Sequence, residues 1–159
     1  MGGGLTLPGG GSADYILIRD EKAASNHGGT FTAAAWQTRV LNTEVSDDGG
    51  HASLASNQIT LAAGTYEFKA NLPCHEVGDS KARLANITDS IYVYGENIYA
   101  TAGGGCNINY LSGKFTIAAP KVFELQHRCS VTGTNTGFGF GAYIGVIEVF
   151  ASIEFRKVG

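Results

Sequence analysis

The sequence predicts an all-β sandwich or barrel of eight to ten antiparallel strands, and three observations carry that expectation. Short segments rich in β-branched and aromatic residues recur along the chain. Several alternate strictly between apolar and polar residues. Glycine clusters at Gly28-Gly29, Gly49-Gly50, Gly103–Gly105 and Gly133–Gly145 separate them, and no repeat of fixed period is visible, which argues against propellers and β-helices.

The opening Met1–Ser12 is so glycine-rich that ordering it would cost much conformational entropy, so residues 1–13 read as a linker or an expression remnant and 14–159 as a single domain. Tyr15–Arg19 (YILIR) is apolar on both faces and predicts a central strand or one lying in a subunit interface. Thr32–Val45 has alanines and a Trp36/Val40 spacing that suit a helical turn. Trp36, Thr38 and Val40 equally suit one strand face, and the β context favours a strand. Tyr66, Phe68, Ala70 and Leu72 fall on one face of the next strand, with Glu67, Lys69 and Asn71 on the other. Ile91 and Val93 oppose Tyr92 and Tyr94. Phe115 and Ile117 extend another strand. Phe123, Leu125, His127 and Cys129 share a face within Lys121–Cys129, and Val149, Ala151, Ile153 and Phe155 line the last strand.

Composition removes whole classes of function. Charged residues make up 16 %, against about 25 % in a typical soluble domain, which suggests surface covered by other subunits. The net charge is −3 and no Lys/Arg cluster occurs, so neither nucleic-acid binding nor electrostatic membrane attachment is expected. No apolar run reaches the ~18–20 residues of a membrane span. Three cysteines (Cys74, Cys106, Cys129) without CxxC spacing argue against a disulfide framework and for synthesis in a reducing cytoplasm.

The chemistry that can be tested by spacing is missing. GxSxG, GxxxxGK[ST] and HExxH are absent, and the glycine run 137–145 fails the dinucleotide register. Cys74-His75 and His127/Cys129 raise a mixed metal site, but ordinary buried thiols and a hydrogen-bonded histidine are the favoured reading. Asp47-Asp48 before Gly49-Gly50 reads as a turn rather than a calcium loop, and Asn86-Ile87-Thr88 as a chance sequon. Asp20, Glu21, Glu76 and Asp89 could supply a carboxylate pair for glycoside hydrolysis only if the fold set two of them face to face. No catalytic residue, cofactor or metal is expected. Tyr92, Tyr94 and Tyr99 surround a Gly95-Glu96-Asn97 turn, and they read either as cross-strand packing or as a recognition surface. They are the best candidates for stacking on a sugar.

Thr30–Glu44, Ile59–Ala70, Lys81–Asp89 and Gly113–Cys129, with Tyr15–Ala23, resemble in order and spacing a module found near the C-termini of bacteriophage tail fibre and related structural proteins. That module is similar to the compact jelly roll of the complement and tumour-necrosis-factor superfamily. The resemblance implies a trimeric jelly-roll sandwich packed around a threefold axis, located on the virion at a fibre tip and binding a bacterial surface glycan or protein. It implies no catalytic residues. A purely structural trimerisation or decoration module is the alternative, and a capsule-degrading enzyme ranks last because the chain has no long repeat. At such a tip the free end lies opposite the N-terminal linker. The loops around Ser25–Gly29, His75–Ser80 and Gly133–Gly137 are expected to share that end, and Gly95–Gly105 to line a side groove.

Overall fold

The computed structural model describes residues 13–100 and 105–159; the 1–13 linker expectation therefore lies almost wholly outside the described residues, as does most of the Gly103–Gly105 run. The described residues form twelve strands and no helix: β1 (Asp14–Lys22), β2 (Gln37–Thr38), β3 (Thr43–Asp47), β4 (Ala52–Ala55), β5 (Gln58–Leu61), β6 (Gly64–His75), β7 (Gly78–Asn86), β8 (Ile91–Tyr94), β9 (Ile98–Ala100), β10 (Cys106–Ile117), β11 (Lys121–Cys129) and β12 (Glu148–Lys157). Ten of them run to four residues or more, the upper end of the expected number.

One sheet has the order β10-β6-β12-β1-β3 and the other β4-β5-β11-β7-β8, with β2 beside β11 and β9 beside β7. From β5 to β6, β6 to β7, β9 to β10, β10 to β11 and β11 to β12 the chain changes sheet each time, and each strand pairing is antiparallel. This is a jelly-roll sandwich.

The period-two patterns decide which faces meet. Tyr66, Phe68, Ala70 and Leu72 of β6, Ile16 and Ile18 of β1, and Ile153 and Phe155 of β12 pack against Ile59, Leu61, Leu84, Phe123 and Leu125 of the second sheet. Phe115 stacks on Phe123 across the gap at 5.0 Å between ring centroids. Each Leu, Ile and Phe among them contributes about 1.5–3 kcal/mol by leaving water. β1 is an interior strand, flanked by β12 and β3, with Tyr15 and Leu17 half-buried on its outer face, which accounts for its two apolar faces.

Two expectations need correction. The Thr32–Val45 segment is neither a helix nor one strand. Ala34 adopts a left-handed φ of 70°, and the Gln37 side chain both accepts from the Thr32 N–H and donates to the Thr32 carbonyl. The stretch around Trp36 is therefore a closed turn, leaving only Gln37–Thr38 to pair with β11. In β12 the register against β1 slips between Asp20 and Glu21, so Phe150 joins Ala151 on the inside while Val149 faces solvent. That bulge reverses the predicted face at the start of the strand.

The start of β1 and the C-terminal residues lie at one pole: Asp14 pairs with Lys157, and the Thr65 amide donates to the Gly159 carbonyl at 2.6 Å. At the other pole three loops interlock. Gly28 N–H donates to Gly139 O at 2.9 Å, His75 N–H to Gly137 O at 3.0 Å, and Phe31 bridges Gly133. The loops expected to share an end do share it. A Cβ on Gly28 would press into the Phe138 backbone, and one on Gly137 into the Gly133 carbonyl and the Phe31 backbone. The glycine run thus exists for close backbone approach.

Candidate functional site

Sheet two carries an open groove of about 680 Å³ on its outer surface, near the loop pole. Its floor is β7 and β11, where Lys81 stands opposite Arg128 and Ser80 opposite Cys129. One wall is the turn holding Ala34 and Trp36; the other is Asn97, Ile98 and Tyr99 of the β8–β9 segment. Alternation along β7 aims Asp79 and Lys81 the same way, so both reach the groove.

The aromatic residues do not act as one platform. Tyr92 and Tyr94 share the outer face of β8 with centroids 6.2 Å apart, and Tyr99 lies apart from them in the groove wall. Tyr92 is the least exposed of the three at 39 %, because the Arg83 guanidinium covers its ring at 3.9 Å and packs on Trp36 at 4.1 Å on its other side. Arg83 Nε donates to Gln126 Oε1 at 2.7 Å, and Gln126 Nε2 donates to Glu124 Oε2 at 2.8 Å. Burial pushes the Glu124 carboxyl up, but hydrogen bonds from Gln126, Thr38 and Gln58 outweigh it, and the group sits below the usual carboxylate range. Tyr94, 52 % exposed, lies 6.0 Å from Trp36 and 5.5 Å from the Lys81 ammonium. Tyr99 is 66 % exposed. The result is a stacked shelf (Trp36, Arg83, Tyr92) leading to Tyr94, whose ring lies under the Lys81 ammonium, and to the exposed ring of Tyr99.

Beneath the loop pole runs a buried polar chain. Arg39, fully buried, donates to the carbonyls of Pro73 at 2.8 Å, Phe138 at 3.1 Å and Phe150, and to His127 Nδ1 at 3.1 Å. His127 Nε2 meets Asn109 Oδ1 at 2.8 Å, so His127 donates there in the neutral tautomer that accepts from Arg39; the Ser80 hydroxyl also donates to Asn109 Oδ1, at 2.7 Å. Burial lowers the Arg39 pKa to about 10, and burial together with the Arg39 charge holds His127 well below its ordinary value. Arg39 Nε alone lacks a partner among the buried side-chain atoms described.

The remaining sequence candidates have structural explanations. Burial raises the Cys74 thiol and pushes Cys129 up to about 11, so both stay protonated near neutrality and are poor ligands or nucleophiles. Among the described residues no three His, Cys, Asp or Glu side chains gather as a metal site. Asp47 closes a turn by accepting from the His51 and Ala52 amides at 3.0 and 2.9 Å. The Asn86 side chain bonds Asp89, which also takes Lys121 at 2.7 Å, while Asp20 holds Lys22 at 2.8 Å. Neither carboxylate faces another of the four candidates in these contacts. Sequence reasoning did not name Trp36, Lys81 and Arg128 as site residues; the β7–β11 register sets the two cations opposite each other, and the β2–β11 pairing places the Trp36 turn beside them.

No protein-family model matches the chain, and no curated protein sequence matches it. Solved structures do. Murine APRIL at pH 5.0 superposes with a TM-score of 0.56 at 9 % identity, over 91 % of this chain and 98 % of that one. The globular domain of zebrafish complement 1qA superposes with a TM-score of 0.54 at 9 % identity, over 93 % and 98 %. The likeness shows the fold: this chain has the jelly-roll sandwich of those two structures. At these identities the likeness fixes the path of the backbone and carries no side chain across. In this jelly roll the groove occupies the exposed face of the β4-β5-β11-β7-β8 sheet, and the interlocked loops cap the pole away from Asp14 and Lys157.

Proposed function

We propose that the protein is the receptor-binding tip of a bacteriophage tail fibre: a homotrimeric, non-enzymatic jelly roll on the virion that attaches to a bacterial surface glycan or protein. The observation that carries this reading is the polarity of the domain. The start of β1 and the C-terminal residues sit at one pole, so a fibre joined there would leave the interlocked loops and the groove beside them facing outward. Loops on a rigid scaffold are where recognition variation is tolerated.

Trimerisation is supported by the apolar side chains that a single copy leaves in water. Ile108 and Tyr110 lie on the outer face of β10, Val149 on the outer face of β12, and Ile144, Val146 and Ile147 in the loop leading into β12. Monomers seldom expose such surface, and closed cyclic assembly buries the same patch on every copy. The same surface favours the second reading, a structural trimerisation or decoration module, equally well.

Light scattering at micromolar concentration should give three times the 16.6 kDa chain mass. The labelled trimer should bind saturably to cells of at least one strain in a bacterial panel and block phage adsorption to that strain. A trimer that binds none leaves the structural-module reading, and a monomer removes both.

A further inference from the structure

We propose that the groove between the Ala34–Trp36 turn and β9 binds an anionic saccharide, with Trp36 and Tyr99 as stacking walls and Lys81 and Arg128 as the anion-binding pair; this rests on the reading of the chain as a tip that attaches to a surface glycan. Arg128 and Lys81 are directly opposite each other in the β11–β7 register and both line the groove. Like charges placed opposite each other across a sheet repel and weaken the pairing. Neither cation is in an ion pair among the described residues. A protein of net charge −3 thus sets two cations without a carboxylate partner opposite each other in register along one cleft, the Lys81 ammonium resting 5.5 Å over the Tyr94 ring. An anion bound between them removes the repulsion, and the Arg128 fork suits a two-oxygen acceptor.

The walls and rim select what bears that anion. Trp36 and Tyr99 offer apolar ring faces, which complement the C–H face of a pyranose. Asn97 and Ser130 add neutral hydrogen-bonding groups, and Asp79 on the same strand face as Lys81 accepts from sugar hydroxyls. Asp79 also opposes a dense polyanion, so the site fits isolated charges on a saccharide and disfavours a nucleic acid. The volume, about 680 Å³, lies within the range of ligand-sized clefts.

Calorimetric titration of the intact protein with trigalacturonate, trigalactose and a glycerol-phosphate oligomer tests the proposal, alongside adsorption to cells. Trigalacturonate or the phosphate oligomer should bind at least about tenfold more tightly than trigalactose in low salt, the better of the two identifying the source of the charge, and the advantage should shrink at high salt. The Lys81→Gln/Arg128→Gln variant should lose about tenfold in anion affinity and in cell adsorption. Its melting temperature should hold or rise, because the repulsion goes too, and Lys114→Gln on sheet one should change neither binding. Equal affinity for charged and neutral probes, or a double variant that adsorbs to cells like wild type, overturns the anionic-saccharide assignment while leaving the tip reading intact. Failure of the wild type to adsorb to any cell overturns the tip reading instead.

Discussion

Replacing Arg39 by methionine keeps the length and apolar stem of the side chain and removes its donors. In a buried ion pair such a swap is often harmless, because both charged partners can be exchanged for apolar groups. Here three of the acceptors are main-chain carbonyls of Pro73, Phe138 and Phe150, which no side-chain substitution can remove. Each buried acceptor left without a donor costs about 1–3 kcal/mol. Allowing for partial rescue by water or by local movement, Arg39→Met should destabilise the protein by about 3–5 kcal/mol. For a chain of this length that corresponds to a fall in Tm of roughly 8–15 °C. The loss should be local first. Arg39 joins the end of β6, the Phe138 loop and the start of β12, so the Gly28 and His75 amides, which bond Gly139 and Gly137, should lose hydrogen-exchange protection before the β6 and β11 core amides do. Urea unfolding at matched protein concentration, with exchange measured on the same samples, reads both effects. Stability within about 1 kcal/mol of wild type would refute the claim that this guanidinium holds the loop pole together.

Three further outcomes are expected. His127 stays neutral in the folded protein to well below its ordinary pKa, whereas the unfolded chain takes up a proton near pH 6.5. The folded state then binds fewer protons, so stability is full above about pH 6.5 and falls on acidification by up to ~1.4 kcal/mol per pH unit; subtracting a His127→Gln titration should isolate that slope, and its absence would place the protonation elsewhere. Gly137→Ala would drive a methyl into the Gly133 carbonyl and the Phe31 backbone and should cost about 1–3 kcal/mol in urea titrations, whereas Gly50→Ala meets open space and is limited to its left-handed φ of 65°. Reductant and chelator together should leave Tm within a degree or two, since Cys74, Cys106 and Cys129 are all free thiols; a large fall with chelator alone would point to a bound ion.

The parts of this molecule legible in the sequence are those governed by one strand at a time. Alternation in Tyr66–Leu72 and Phe123–Cys129 specified which side chains face inward, and each of those faces is buried as expected. The start of β12 was misread because a bulge adds one residue against Asp20–Glu21, and only the partner strand determines where it falls. The Trp36 turn was misread because Gln37 bonds back to Thr32, a side-chain choice that competes with the ladder and leaves no periodic trace. A side groove at Gly95–Gly105 was expected, and Asn97–Tyr99 do line one, but its other wall and its floor leave no trace in the sequence: Trp36, Lys81, Tyr99 and Arg128 come from four segments, and the two cations stand opposite each other only through register. The tyrosines could be named from their local density, but the Arg83 guanidinium that covers Tyr92 could not.

Adsorption of the labelled trimer to bacterial cells, compared between wild type and a Trp36→Ala/Tyr94→Ala/Tyr99→Ala variant, addresses the central claim most directly. All three side chains are at least partly exposed on the outer surface of sheet two, so the variant should fold and assemble with its mass and urea midpoint close to wild type. The account predicts saturable binding by wild type to at least one strain and a loss of tenfold or more in the variant, on the order of one or two stacking contacts. A variant trimer that binds the same cells as tightly as wild type would contradict it.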